Sequence, residues 1–399
     1  MRDLLLSSTV CVPICRPRVL SHLIPAWLCF WLGLFLAAPS DAEQPAVGPN
    51  GVIVQSQFGG QIFGFDIDQA GTEGVLAESQ RLDDGTVLAA VETFDQRTGA
   101  IVKVIRETIT PDDDFIALGV TGTSVGLIER EHVQSLFNVV RSFSTINSLR
   151  KNRFTGRWTP PIGTDHLVEL VSRNQGTQNA VWAIDISGGF MPTVFSTDVG
   201  ANTFGPVISI NDPDFSNTPD PGLAYDTVRN RAILGHAFLG NPFIAGWIAT
   251  VDLTSGTFTK FRGLGVGDVN GLAYDPVTDT ACTTTEIDFS VSFYNIATQT
   301  GFKQPLPGAT QQFFSGAAVE FDPVNKLFLV AQEHSSTSSS GSSIHVYDTA
   351  GNLIESLNGF NFSNAFNVVP AHIAINPSRR TGFIDGPDEG VTQLQGFSY

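Results

Sequence analysis

The chain has 399 residues, only 15% of them charged, a formal net charge of −17, and 39 Gly and 30 Phe against 2 Met. So few charges argue against a disordered chain and against a helical bundle, and leave room for one large all-β domain or two ordinary ones. The negative balance argues against a nucleic-acid backbone or an anionic membrane surface as partner, and fits the solubility of an exported protein.

Residues 1–42 have the pattern of a leader. Arg16 and Arg18 precede an apolar run from Leu23 to Ala38, and Ser40-Asp41-Ala42 offers small residues where an export peptidase cuts. The run is shorter than the roughly 20 residues that span a bilayer, so a cleaved signal peptide is expected rather than an anchor. The expected location is secreted or periplasmic, with no membrane attachment after cleavage, and residues 43–399 form the mature domain. Cleavage removes Cys11, Cys15 and Cys29 and leaves Cys282 alone. A single thiol excludes an internal disulfide. Within Thr280-Ala281-Cys282-Thr283 it reads as a small buried hydrophobe and not a nucleophile.

Downstream, Val52–Gln55 and Gln61–Asp66 read as short strands. Thr86 to Val104 then reads as two β-rich runs joined by Asp95-x-x-x-Gly99, a hairpin in which Asp bonds the turn backbone and Gly takes positive φ. The same hairpin recurs at Asp252 to Gly256, with variants at Asn295 to Gly301 and Asp348 to Gly351 and a shorter one at Asp185 to Gly188. Between these hairpins a second phrase repeats. Gly222-Leu223-Ala224-Tyr225-Asp226 returns as Gly271-Leu272-Ala273-Tyr274-Asp275-Pro276, as Ala318-Val319-Glu320-Phe321-Asp322-Pro323, and as His372-Ile373-Ala374-Ile375-Asn376-Pro377. From Asp226 to Asp275, Asp322 and Asn376 the intervals are 49, 47 and 54 residues. A strand-patterned unit of that length with a turn at its end is the signature of a propeller blade.

Together the two phrases predict an inner strand ending in an Asp turn, a second strand, and a hairpin from the third strand to the outer fourth. Blades are predicted at 222–262, 271–307 and 316–358, with a first at 61–107 and two more between 115 and 200. Glu129 to Arg150 also carries Val133, Leu136, Phe137, Val140 and Phe143 at helical spacing, so a helix competes with strands there. The C-terminus supplies three strands, and the spare strand near Val52 is expected to complete that blade and close the ring, which removes exposed edges. The predicted fold is a single all-β propeller of seven four-stranded blades, six and eight being the neighbouring counts.

Val269-Asn270-Gly271-Leu272-Ala273-Tyr274-Asp275-Pro276 resembles the repeat of a broad superfamily of exported and soluble propellers, covering about 222–385. That group includes NHL-type repeats and the gluconolactonase/regucalcin-like calcium hydrolases. In the hydrolase branch an Asn in an Asn-Gly-Leu context is a calcium ligand, and Asn270 is the position that matches.

In a propeller, the loops into each inner strand and out of each second strand open on one face, around the channel mouth. That face should receive Asn270 and His372 from inner-strand starts, and His236, Glu286, Asp288, Glu333 and His334 from second-strand ends, with Glu131 and His132 as further candidates. Carboxylates and imidazoles gathered there can hold Ca²⁺ or a transition metal, or act as acid and base. Asn270, Glu286 and Glu333 are the set that would take Ca²⁺. Gly122-Thr123-Ser124-Val125-Gly126 spells a nucleophile elbow but lies between two β-like runs, where a hairpin turn is the better account. Asn211-Asp212-Pro213-Asp214 lacks the Gly and Glu of a helix-loop-helix calcium loop. The expected function is therefore an exported, non-catalytic, monomeric propeller that binds a protein, glycan or small ligand at the channel mouth. A Ca²⁺-dependent hydrolase or lyase and a structural envelope component are the alternatives.

Overall fold

A computed structural model describes residues 47–399 apart from 69–70, 111–113, 122–123, 132–142, 151–152, 159–165, 173–177, 186–190, 199–200, 202, 214, 216–221, 237–244, 267–268, 286–289, 309–313, 335–341, 361–371 and 386–392. The chain divides into Met1–Pro45 and Ala46–Tyr399, and every described residue belongs to the second unit. The described residues form strands, turns and bends, with no helix among them.

The strands group into antiparallel sheets, numbered here in chain order. Sheet 1 contains Gln61–Ile67, Glu73–Arg81, Val87–Asp95 and Ile101–Thr110, and sheet 2 contains Asp114–Thr121, Ser124–Glu131, Phe143–Arg150 and Arg153–Trp158. Sheet 3 contains His166–Val171, Gln178–Asp185, Met191–Asp198 and two short pieces, Thr203–Phe204 and Ile208–Ser209, both paired with Met191–Asp198. Sheet 4 contains Gly222–Asp226, Arg231–His236, Ala245–Asp252 and Phe258–Val266. Sheet 5 contains Val269–Asp275, Thr280–Thr285, Ser290–Asn295 and Thr300–Pro305. Sheet 6 contains Phe314–Asp322, Leu327–His334, Ser342–Asp348 and Leu353–Phe360. Sheet 7 contains Ile373–Asn376, Thr381–Asp385 and Gln393–Ser398, and Gly48–Gln55 lies beside Gln393–Ser398 as its fourth strand. Each sheet meanders from an inner to an outer strand, and the architecture is an all-β propeller.

The core lies between neighbouring sheets, as the two-residue period of a strand dictates when both faces are covered. Leu234 and Ala249 of sheet 4 pack on Trp182 and Val194 of sheet 3, while Ile233 and Ile248 on its other face meet Leu272, Tyr274 and Tyr294 of sheet 5. Cys282 and Phe293 of sheet 5 meet Phe328 and Tyr347 of sheet 6, whose Leu329 and Ile344 meet Ile373 and Phe397 of sheet 7. Between sheets 7 and 1 the layer is built from Val54, Ala374, Phe383 and Leu394 against Phe65, Leu76 and Phe94. Cys282 is fully buried and free, and burial pushes its thiol up, so it acts as a small core residue.

Three local expectations are revised. The helix that competed for 129–150 is displaced by strand at both ends, Ser124–Glu131 and Phe143–Arg150, which pair with each other; residues 132–142 lie outside the described residues. Ser124–Glu131 and Phe143–Arg150 satisfy their backbone groups by pairing with each other and with the flanking strands of sheet 2, so tertiary context overrides the helical spacing. Asp185 ends a second strand that pairs with Met191–Asp198, so Asp185–Gly188 leads into the third strand and not the outer one. In the hairpin after Asn295 the positive φ falls on Gln299 (φ 55°), while Gly301 belongs to the outer strand. The Gly-x-Ser-x-Gly stretch has strand on both sides, with Thr121 paired to Ser124, which is a hairpin and not an elbow.

Candidate functional site

Each sheet has two ends of different chemistry. At one end the inner strand turns into the second strand through the repeated Asp. Asp226 accepts hydrogen bonds from the amides of Val228 and Arg229, Asp275 from Val277, and Asp322 from Val324 and Asn325. The fourth residue after each anchor, namely Asn230, Asp279, Lys326 and Arg380, takes a left-handed φ of 49–59° that completes the same turn. The anchors are completely buried, and for Asp226 and Asp322 the next sheet supplies a donor. Tyr274 of sheet 5 donates to Asp226 at 3.0 Å, and Arg229 and Arg231 add their guanidinium groups at 3.0 Å. Arg231 also pairs with Asp279. Tyr399 donates to Asp322 at 2.8 Å, and Asn325 reaches the Pro377 carbonyl of sheet 7 at 3.0 Å. Between sheets 7 and 1, Asn376 donates to Gln96 at 3.1 Å. This end is a seam joining one sheet to the next.

The opposite end is the channel-mouth end, and the antiparallel pairing brings the expected residues to it. Val269 lies across from Thr285, Ser315 from Glu333 and Phe314 from His334, while Ile373, next to His372, lies across from Ile384. His236 ends the second strand of sheet 4 and is buried, its ring 5.3 Å from that of Phe215. His372 immediately precedes the inner strand of sheet 7 and is half-buried. The backbone of Asn270, Glu333 and His334 stands at this end, and Glu286, Asp288 and His132 lie outside the described residues. Among the described residues no three His, Cys, Asp or Glu side chains are grouped to hold a metal ion. Asp212, from the oxygen-rich stretch after Asn211, instead pairs with Lys260 at 2.8 Å.

The inner strands share an irregularity here. Pairing shifts register between Ile62 and Gly64, Val168 and Leu170, Val269 and Gly271, and Gly316 and Ala318. Asn270 is thus the extra residue of a bulge, and the same place is bulged in sheets 1, 3, 5 and 6. A bulge twists the strand and re-aims the extra residue relative to its neighbours.

Sequence reasoning missed two buried polar pairs near this end. In sheet 1, Glu78 and Glu92 occupy the face that also carries Leu76 and Phe94 toward sheet 7. Both are buried, and they accept backbone N–H groups from the segment leading into the inner strand. Gln57 donates to Glu92 Oε2 at 3.0 Å, Phe58 to Glu78 Oε1 at 3.2 Å, and Gly60 to Glu78 Oε2 at 2.8 Å. Burial, and Glu78 beside it, push the Glu92 carboxyl up to about 7 against the pull of the Gln57 amide. In sheet 6 the register-equivalent pair is Gln332 and His345, with His345 Nε2 on Gln332 Oε1 and Nδ1 2.9 Å from Ser356 Oγ. The available signal was parity: Glu78 and Glu92 each stand two residues from a large apolar side chain of the same strand, on the face that should be dry.

No protein family matches this sequence, and no curated protein matches it. Among solved structures, a chain from the crystal structure of a mitotic checkpoint complex aligns over 91% of this chain and 99% of its own length, with a TM-score of 0.57 and 13% identity. At that identity the likeness shows the fold alone. Since 969 solved chains match, the propeller architecture does not by itself select a ligand.

Proposed function

We propose that the protein is an exported propeller that binds a partner protein at its channel-mouth end and carries out no chemistry of its own. In this reading the sheets numbered 1 to 7 are seven blades, and Gly48–Gln55 closes the ring by completing the last. The observation that carries the proposal is the contrast between the two ends. The turn end repeats one Asp-capped turn in sheets 4, 5 and 6, as a scaffold must, whereas the inner strands of sheets 1, 3, 5 and 6 are bulged at a common place at the mouth end and carry different residues there. A solved neighbour of this fold belongs to a protein complex, which is consistent with a protein partner. The apolar run 23–38 and the small residues at 40–42 support export, and N-terminal sequencing of the mature protein should begin just after Ala42.

Site-specific photocrosslinking tests the binding surface. A photoreactive residue at Asn270 or Glu333 should trap a partner, whereas one at Val228 or Val277, exposed at the turn end, should not. Adducts formed equally from both ends, or from the turn end only, would place the interface elsewhere.

A further inference from the structure

We propose that Glu92 holds a proton beside Glu78, and that this proton fastens the segment joining sheet 7 to sheet 1. The argument starts from the count of lone pairs. Residues 56–60 run from Gly48–Gln55, the outer strand of sheet 7, to Gln61–Ile67, the inner strand of sheet 1. Three of the four carboxyl oxygens of the pair accept an N–H from that segment, and the fourth, Glu92 Oε1, is buried with no hydrogen-bond partner. Two ionised carboxylates side by side, one with a bare oxygen, are far costlier in a dry layer than one carboxylate beside a neutral acid. A proton on Glu92 removes the bare charge and leaves Oε2 free to accept from Gln57.

The segment lies close against the strand that carries Glu78. A Cβ on Gly60 would come within 2.6 Å of the Ser79 carbonyl oxygen and 2.9 Å of Glu78 Oε2, so the backbone lies directly on the second strand of sheet 1. When Glu92 loses its proton, repulsion acts between the two groups that grip the segment.

The surroundings supply no described cation to take the proton's place. Residues 55–60 contain no titratable group. On the neighbouring outer strand of sheet 1, Val104 stands opposite Glu92, and the adjacent Lys103 is exposed. Arg106 and Glu107 follow on that strand, and His372 and Asp385 stand at the near ends of the sheet 7 strands, placed here by backbone position alone. The raised carboxyl of Glu92 puts the loss of its proton near neutrality.

Hydrogen exchange of the full mature chain tests this. After correction for intrinsic rates, protection of the Gln57, Phe58 and Gly60 amides should fall at least tenfold, as an order-of-magnitude expectation for loss of a local grip, between mildly acidic and mildly alkaline pH. In Glu92→Gln, whose amide imitates the protonated acid, the same amides should be protected at every pH. Protection that is constant in the wild type, or a fall that persists in Glu92→Gln, overturns the proposal. A carboxyl ¹³C NMR titration of the wild type is independent of any variant's folding. Glu92 should lose its proton near neutral pH, and a Glu92 midpoint in the ordinary glutamate range overturns the proposal equally.

Discussion

The turn end and the mouth end of the sheets solve the same problem differently. Both bury carboxylates between neighbouring sheets. At the turn end, Asp226 is met by two amides, two arginines and a tyrosine, and its charge is fully answered. At the mouth end of sheet 1, Glu78 and Glu92 are met only by amides, and one oxygen is left over. Compensated charge makes a permanent seam, whereas under-compensated charge ties the segment 56–60 to pH. A propeller that binds at its mouth needs the first to be invariant and can let the second respond.

Breaking the seam should have the largest effect. Asp226→Ala removes a fully buried acceptor and leaves Arg231 and the buried Tyr274 hydroxyl sharing Asp279 alone. The expected loss is about 3–5 kcal/mol, measured by denaturant unfolding. Asp226→Asn keeps the acceptor for the Val228 and Arg229 amides and should lose less. Equal stability in wild type and Asp226→Ala would mean that the sheets are held by apolar packing alone.

The mouth end should give the next largest signal, and its sign is opposite to the usual behaviour of a carboxylate. The folded-state pKa of Glu92 is raised, so the folded protein binds more protons than the unfolded chain over the interval between the two values. Its contribution to stability is therefore fully present below the ordinary glutamate range. It declines as pH rises toward about 7 and is absent above that. Melting temperature across this interval should fall in the wild type by a few degrees more than in Glu92→Gln. A wild-type melting curve that runs parallel to that of the variant would remove the contrast between the two ends.

Much of the scaffold was legible in the residues and little of the bonding between sheets. The anchors at Asp226, Asp275, Asp322 and Asn376 announced themselves because a turn is a local device, with its donors two and three residues away. The hairpins after Asp95, Asp252 and Asp348 were legible for the same reason, their glycines at φ 73–82° closing the turn. What fastens an anchor to the next sheet was not, because Tyr399 lies 77 residues from Asp322 and Asn376 lies 280 from Gln96, and such pairings leave no spacing to read. Of the candidate site, the ends of strands were predicted, and His236 shows why residue type alone is insufficient: it lies buried beside an aromatic ring. Glu78 and Glu92 went unnoticed because a strand buried on both faces has no polar side against which a misplaced carboxylate stands out.

The finest comparison is between two buried phenols near the turn end. Tyr399 donates to Asp322 at 2.8 Å, while the hydroxyl of Tyr347, in the sheet 6 strand that ends at Asp348, is buried with no hydrogen-bond partner. Burial raises the pKa of both, so neither ionises near neutral pH and each acts only as a neutral hydroxyl. Tyr399→Phe removes a donor from a carboxylate whose remaining partners, the Val324 and Asn325 amides and the Asn325 side chain, stay in place, and should cost about 1–2 kcal/mol. Tyr347→Phe removes a polar atom that nothing satisfies and retains the ring that packs on Phe293 at 5.6 Å, so it should be neutral or stabilising by up to about 1 kcal/mol. Denaturant midpoints of the two variants should therefore move in opposite directions, or one should move and the other stay. If both fell by the same amount, the seam would owe its strength to the bulk of the rings, and the bonded anchors would be ornament to the packing rather than its fastening.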